Sequence, residues 1–142
     1  MQRASTIRLR TSLFQEAAEI VDREYASDLS LDDIARRVAS SRRQLQRAYA
    51  EIGETTFRDH LTRVRMQKAA EMLSTRALTV REVAHRVGYR QPAQFAKAFR
   101  RHHDVSPSAY RSRALFDSAG APPAGMPAVA GLEAAAAARA AA

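Results

Sequence analysis

The sequence predicts an all-α fold in which one two-helix unit occurs twice, and three observations predict it. No segment sustains the period-two alternation of a half-buried strand. Apolar residues recur instead at helical spacing. And residues 29–49 return, with changes, as residues 78–99. The apolar supply agrees: hydrophobic residues make up 46%, much of it alanine, with five Phe, four Tyr and no Trp. Such a supply suits close-packed helices better than a β-sandwich, and the 142 residues suffice for one ordinary domain.

The elements follow in order. Residues 1–11 read as an N-terminal arm. "LFQEAAEIVDREYA" (13–26) places Leu13, Ala17, Ile20, Val21 and Tyr25 on one stripe. "SLDDIARRV" (30–38) is a short helix capped by Ser30, with Asp33 three residues on. "RRQLQRAYAEIG" (42–53) buries Leu45, Ala48, Tyr49 and Ile52 and stops at Gly53. "TFRDHLTRVRMQKAAEMLS" (56–74) is a longer helix, capped by Thr56 with Asp59, whose stripe is Phe57, Leu61, Val64, Met72 and Leu73.

The pattern then repeats at an offset of 49, lengthening to 50 before Leu45 and Phe95. Ser30, Asp33, Ile34, Ala35, Arg37 and Val38 align with Thr79, Glu82, Val83, Ala84, Arg86 and Val87. Leu45, Arg47, Ala48 and Tyr49 align with Phe95, Lys97, Ala98 and Phe99. Ala35 and Ala84 are small where two short helices cross closely. Each copy reads as short helix, tight turn, second helix: a helix-turn-helix. The expected organisation is a first unit over 12–61, a linker helix over 56–74 and a second unit over 75–116. From 117 to 142 the composition turns to Ala, Pro and Gly, and that tail is expected to be disordered.

Charge narrows the function. Of 23 basic residues 21 are arginine, against 15 acids, for a net +8. Residues 1–29 carry a net −1 and residues 30–116 a net +10. Arginine presents a planar donor fork suited to phosphate oxygens and guanine edges, so nucleic acid is the favoured partner. The absence of cysteine excludes disulfides, thiolate metal sites and cysteine nucleophiles. There is no HExxH, no phosphate-binding Gly loop and no carboxylate pair outside solvated helix faces, so no enzyme, metal or cofactor is expected. No apolar run reaches the ~18 residues of a membrane helix, and no secretory signal is visible. A soluble, cytoplasmic protein follows.

"VAHRVGYRQPAQFAKAFRRHHDVSPSAYR" (83–111) strongly resembles the C-terminal signature of AraC/XylS-type transcription regulators. "LDDIARRVASSRRQLQRAY" and "RVRMQKAAEML" resemble the first helix-turn-helix and linker helix of that family, so the resemblance spans about residues 13–113. Two positions depart from it. Gln91-Pro92 stand where the family often has Ser or Asp and a polar residue, although Pro is acceptable at a first helical position. Asp104 replaces the common glycine after the helix, and Asp tolerates the left-handed conformation better than most residues. The resemblance implies a bacterial DNA-binding activator that recruits RNA polymerase. Most members carry a separate ligand-binding or dimerisation domain; without room for one, this chain resembles the short single-domain subgroup that acts as a monomer.

With Leu45 buried, a step of about 100° per residue puts Arg43, Arg47 and Ala50 on the opposite face, flanked by Gln46. Arg pairs with guanine O6 and N7, and Gln with adenine N6 and N7. The family resemblance independently implies base contacts at Arg43, Gln46 and Arg47. On helix 92–102, measured from Phe95, the outward face is Ala93, Lys97 and Arg100, with Gln94 and Ala96 at its margins. Ala93, Gln94 and Lys97 are the expected base readers there. The first reader should supply most hydrogen-bonded specificity and the second mainly phosphate affinity, from Lys97 and Arg100, with Gln94 its best base reader. Phosphate contacts are expected at Arg42, Thr55, Thr56, Arg100 and Ser106, the threonines and the serine lying at helix starts. "RRHHD" (100–104) reads as a helix stop, with His103 packing on the side of Phe99 and Arg100 as its functional member. An architectural or weakly specific DNA binder, and a protein-interaction module that titrates another regulator, are the alternative readings.

Overall fold

Each two-helix unit encloses its own apolar cluster, and one long helix belongs to both. The structure, a computed structural model, describes residues 2–119, so the tail from 120 onward lies outside the described residues. Seven helices and no strands occur among them: α1 (Gln2–Glu24), α2 (Leu31–Arg37), α3 (Arg42–Glu51), α4 (Phe57–Leu73), α5 (Val80–Arg86), α6 (Pro92–His103) and α7 (Pro107–Ala119).

The helix starts are written in hydroxyl caps. Ser30, Ser41, Thr56 and Thr79 are extended, and each side-chain oxygen accepts from the backbone N–H three residues on. Helix α6 starts on Gln91 with no side-chain cap and takes Pro92 in its first turn, where the missing N–H costs nothing. It ends at Asp104, left-handed with φ 64°.

The first cluster joins Leu13, Ala17, Ile20 and Val21 of α1 to Ile34, Ala35, Leu45, Ala48 and Tyr49, and to Leu61 and Val64 of α4. The second joins Met66, Ala69, Ala70 and Leu73 of α4 to Val83, Ala84, Val87, Phe95 and Phe99. Both small residues Ala35 and Ala84 are buried at their helix crossings. The expected α4 stripe is corrected here: Met72 is only half-buried, while Met66, Ala69 and Ala70 are buried. The reason is the break between Val64 and Met66. Two residues apart on a helix are about 200° apart, so the two halves of α4 present different faces to two cores.

Two further expectations change. Residues 2–11 are no arm but the first turns of α1, with Ile7 and Leu9 exposed at 55% and 53%. No glycine or proline interrupts Gln2–Glu24, so the helix propagates from the packed segment without an apolar stripe to announce it. A pair between Arg10 and Glu51 ties these turns to α3. Gly53 does not end α3 through a left-handed conformation; Glu54, φ 52°, takes that role. Gly53 is needed for space, since a Cβ there would lie 2.4 Å from Cε2 of Phe14.

Ring packing repeats with the sequence. In the first unit Tyr49 meets Phe14 at 5.1 Å, Phe57 at 6.1 Å and His60 at 5.6 Å between centroids. In the second, Phe99 meets Phe95 at 5.7 Å, His103 at 4.4 Å and Tyr110 at 5.4 Å. His103 also donates from Nε2 to the Met66 carbonyl, 3.3 Å away. Its side of the helix is the one expected. Arg111 of α7 closes this unit by donating from Nε to the Leu73 carbonyl, 3.1 Å, and from Nη2 to the Leu78 carbonyl.

Candidate nucleic-acid interface

Burial of Leu45, Ala48 and Tyr49 turns the other side of α3 outward. Arg42, Arg43, Gln46, Arg47 and Ala50 are all exposed there. On α6 the burial of Phe95 and Phe99 leaves Ala93, Gln94, Lys97 and Arg100 exposed, with Ala96 half-buried. Both faces are the ones the helical step predicts.

Some of the cations are engaged by acids of the chain and others are not. Arg10, Arg36, Arg37 and Lys68 pair with acids of the chain itself, and Arg42 lies 3.7 Å from Asp32. Among the described residues, Arg43, Arg47, Lys97, Arg100 and Arg101 have no acidic partner. Exposed cations without internal partners keep their donors for an external anion.

Between the two helices lies a cleft of about 1090 Å³. It gathers Arg42, Gln46 and Ala50 of α3, Thr55 and Thr56 at the start of α4, and Gln94 of α6. Arg43, Arg47, Ala93, Lys97, Arg100 and Ser106 lie outside it. The hydroxyls at the helix starts are partly engaged already: Thr56 accepts from Asp59 N, Ser106 from Ala109 N at 3.1 Å, and Thr55 from Arg63 at 3.4 Å.

The cleft also holds Arg58, Thr62, Arg65 and Arg101, which sequence reasoning missed. Three of them were findable. Residues 58, 62 and 65 follow one another at steps of four and three, a polar stripe along the linker helix. Arg101 was not, because the direction of α6 relative to α3 decides which arginine of "RRHHD" turns into the cleft.

Polar groups at the joint are perturbed by burial. Burial lowers the pKa of His60, with Arg63 adding to it and Asp22 opposing. The hydroxyl of Tyr49 lies at hydrogen-bond distance from His60 Nδ1, 2.9 Å, and burial pushes its own pKa up. His102 is lowered by burial, then by His103 and Arg63. Arg65 is lowered by burial against the opposing influence of Tyr89 and Asp28. Its side chain reaches across the molecule: Nε donates to the Tyr25 carbonyl at 2.7 Å and Nη2 to the Ser27 carbonyl at 2.9 Å.

Two helix-turn-helix units in tandem, each offering an exposed helix with unpaired cations, define the class of protein. A family model described as a helix-turn-helix domain matches residues 34–113. The transcriptional activator AarP of Providencia stuartii is 30% identical over 102 residues, covering 72% of this chain and 76% of that protein. The chain belongs to the AraC-type helix-turn-helix family, whose fold is that of DNA-binding transcription regulators. The crystal structure of the DNA-binding domain of AdpA, a global transcriptional factor in complex with a target DNA, superposes with a TM-score of 0.66. It is 27% identical, covering 76% of this chain and 95% of that one. The lactose operon transcription activator of Staphylococcus xylosus is 27% identical over 97 residues, 68% of this chain. This chain spans 35% of that relative's length. No helix among the described residues is long and apolar enough to cross a membrane.

Proposed function

We propose that the chain is a sequence-specific, double-stranded-DNA-binding transcription regulator, acting in the cytoplasm as a monomer and activating by recruiting RNA polymerase. The observation that carries the DNA reading is the pair of exposed helices, α3 and α6, whose Arg43, Arg47, Lys97 and Arg100 have no acidic partner within the described residues. Helix α4 has 17 residues, a length of about 25 Å at 1.5 Å per residue. Successive major grooves on one DNA face lie about 34 Å apart. One chain thus reaches two adjacent grooves on an asymmetric site of about 20 base pairs, with DNA bending making up any mismatch. The AdpA domain in complex with its target DNA supports the DNA reading, and the activators among the relatives support activation.

Within this reading Arg43, Gln46 and Arg47 read bases by hydrogen bonds, and Gln94 is the best base reader of α6. Ala93 and Lys97 stand beside it on the reading face. Arg42, Thr55, Thr56, Arg100 and Ser106 hold phosphates, joined by Arg58 and Arg101 in the cleft. Selection of bound duplexes from a random library tests it. The expected outcome is one asymmetric consensus covering two groove faces, retained against excess random DNA at physiological salt. Equal competition by random DNA would leave only a weakly specific binder, because non-specific binding is mostly counterion release.

A further inference from the structure

We infer that Arg65 is a positioning residue that sets the angle between the two reading helices, and so the half-site spacing the protein accepts. The inference rests on the proposal that α3 and α6 enter two grooves. It goes beyond that proposal, which names no side chain that ties the first unit's α1–α2 connection to the second unit's turn.

Three parts of the fold meet at this one guanidinium. It belongs to α4, the helix both cores share. It binds the first unit by donating to the carbonyls of Tyr25 and Ser27, in the connection between α1 and α2. It binds the second unit through Tyr89, its Cζ 5.7 Å from the ring centroid, just past the turn after α5. Thr62, one turn earlier on α4, lines the same cleft as this tyrosine.

The surroundings are shaped for this contact. Gly88 has φ 102°, and a Cβ on it would lie 3.0 Å from both the Ala26 carbonyl and Arg65 Nη2. Bare backbone at residue 88 is what lets the first unit's connection, the guanidinium and the second unit's turn touch. Tyr25 packs against both apolar clusters beside it. A planar fork holding two carbonyls in fixed directions while stacked on a ring constrains rotation, which a lysine at the same place would not do. Arg111 shows the contrast: it binds Leu73 and Leu78, both bordering the α4–α5 connection, and bridges nothing between the two units.

The test uses the full chain and a duplex selected by the wild type, rebuilt with one or two base pairs inserted or removed between its half-sites. Each added pair rotates one half-site by about 35° relative to the other. Fluorescence anisotropy gives affinity at each spacing and for each half-site alone. Wild type is expected to show a sharp optimum. Arg65→Lys and Tyr89→Leu are expected to flatten the profile and to lose roughly tenfold at the optimum, as preorganisation is lost, while half-site affinities stay unchanged. Thermal melting identifies the folded variants to be compared. A variant profile as sharp as wild type overturns the inference. So does a uniform loss at all spacings and on isolated half-sites, the signature of mere destabilisation. A wild type without any optimum removes the two-groove reading itself, and this inference with it.

Discussion

The first and second helix-turn-helix units share a plan but solve the same packing problem with different atoms. Each has a central ring, Tyr49 or Phe99, flanked by a ring from the following helix, His60 or Tyr110. The next ring comes from elsewhere. In the second unit it is His103, at the end of the reading helix itself. In the first unit the matching position is Gly53, and the space is filled by Phe14, brought in by α1. The turn between the two helices differs likewise: a left-handed residue sits there in both units, but it is Ala39, φ 54°, in one and Gly88 in the other. One topology tolerates these exchanges because each core needs a filled volume and not a particular residue.

The sharpest way to break this comparison is Gly53→Ala. The equivalent position in the second unit carries a whole imidazole, so a methyl there looks harmless from the repeat. The structure says otherwise, since the new Cβ would meet Phe14 ring atoms at 2.4 and 2.8 Å and the Tyr49 carbonyl at 3.0 Å. Overpacking of this kind costs about 3 kcal/mol, the upper part of its usual range. Urea unfolding measures it. An unchanged midpoint would mean that α1 does not hold the first unit together as described.

The faces proposed to read DNA differ more than the cores. Helix α3 exposes Arg43, Gln46 and Arg47, whereas α6 exposes Ala93, Gln94, Lys97 and Arg100. Arg47→Ala is expected to cost about 1–3 kcal/mol on the selected site and to relax sequence preference. Lys97→Ala, its counterpart in the repeat, should weaken all sequences nearly equally and reduce the salt slope by about one. Affinities over a set of single-base operator variants at several salt concentrations check both. Greater relaxation of preference from the lysine change would reverse the assigned roles.

What could be read in advance divides along the same line between local and distant. Caps, periodicity and the repeat placed about seven helices and the exposed faces of α3 and α6, because a cap or an amphipathic stripe is settled within a few residues. The first ten residues of α1 escaped because their helix has almost no apolar face. Met66, Ala69 and Ala70 escaped because α4 changes faces midway, and one periodic stripe cannot describe a helix serving two cores. Gly53 was read as a stop signal when its neighbour in space, Phe14, lies 39 positions away in sequence. The cleft residues Arg58 and Thr62 lie on a polar stripe of α4 that the spacing shows, whereas Arg101 depends on how the units are set against each other. That setting is tertiary and leaves no local mark.

The turn residues give the finest test. Ala39 and Gly88 occupy matching positions, both left-handed, yet the reasons for their identity differ. For an alanine the left-handed conformation costs roughly 1–2 kcal/mol, and Ala39 is exposed, so no packing repays it. Ala39→Gly removes that strain while giving the unfolded chain more freedom, an offset of about 0.5–1 kcal/mol. The expected outcome is a small net gain, below about 1 kcal/mol, seen as a higher urea midpoint with an unchanged slope. Gly88→Ala should do the opposite by more, because strain is joined by contact with the Ala26 carbonyl and Arg65. If Ala39→Gly destabilises the fold, the exposed turn of the first unit is held by something other than its own backbone, and the likeness between the two turns is only geometric.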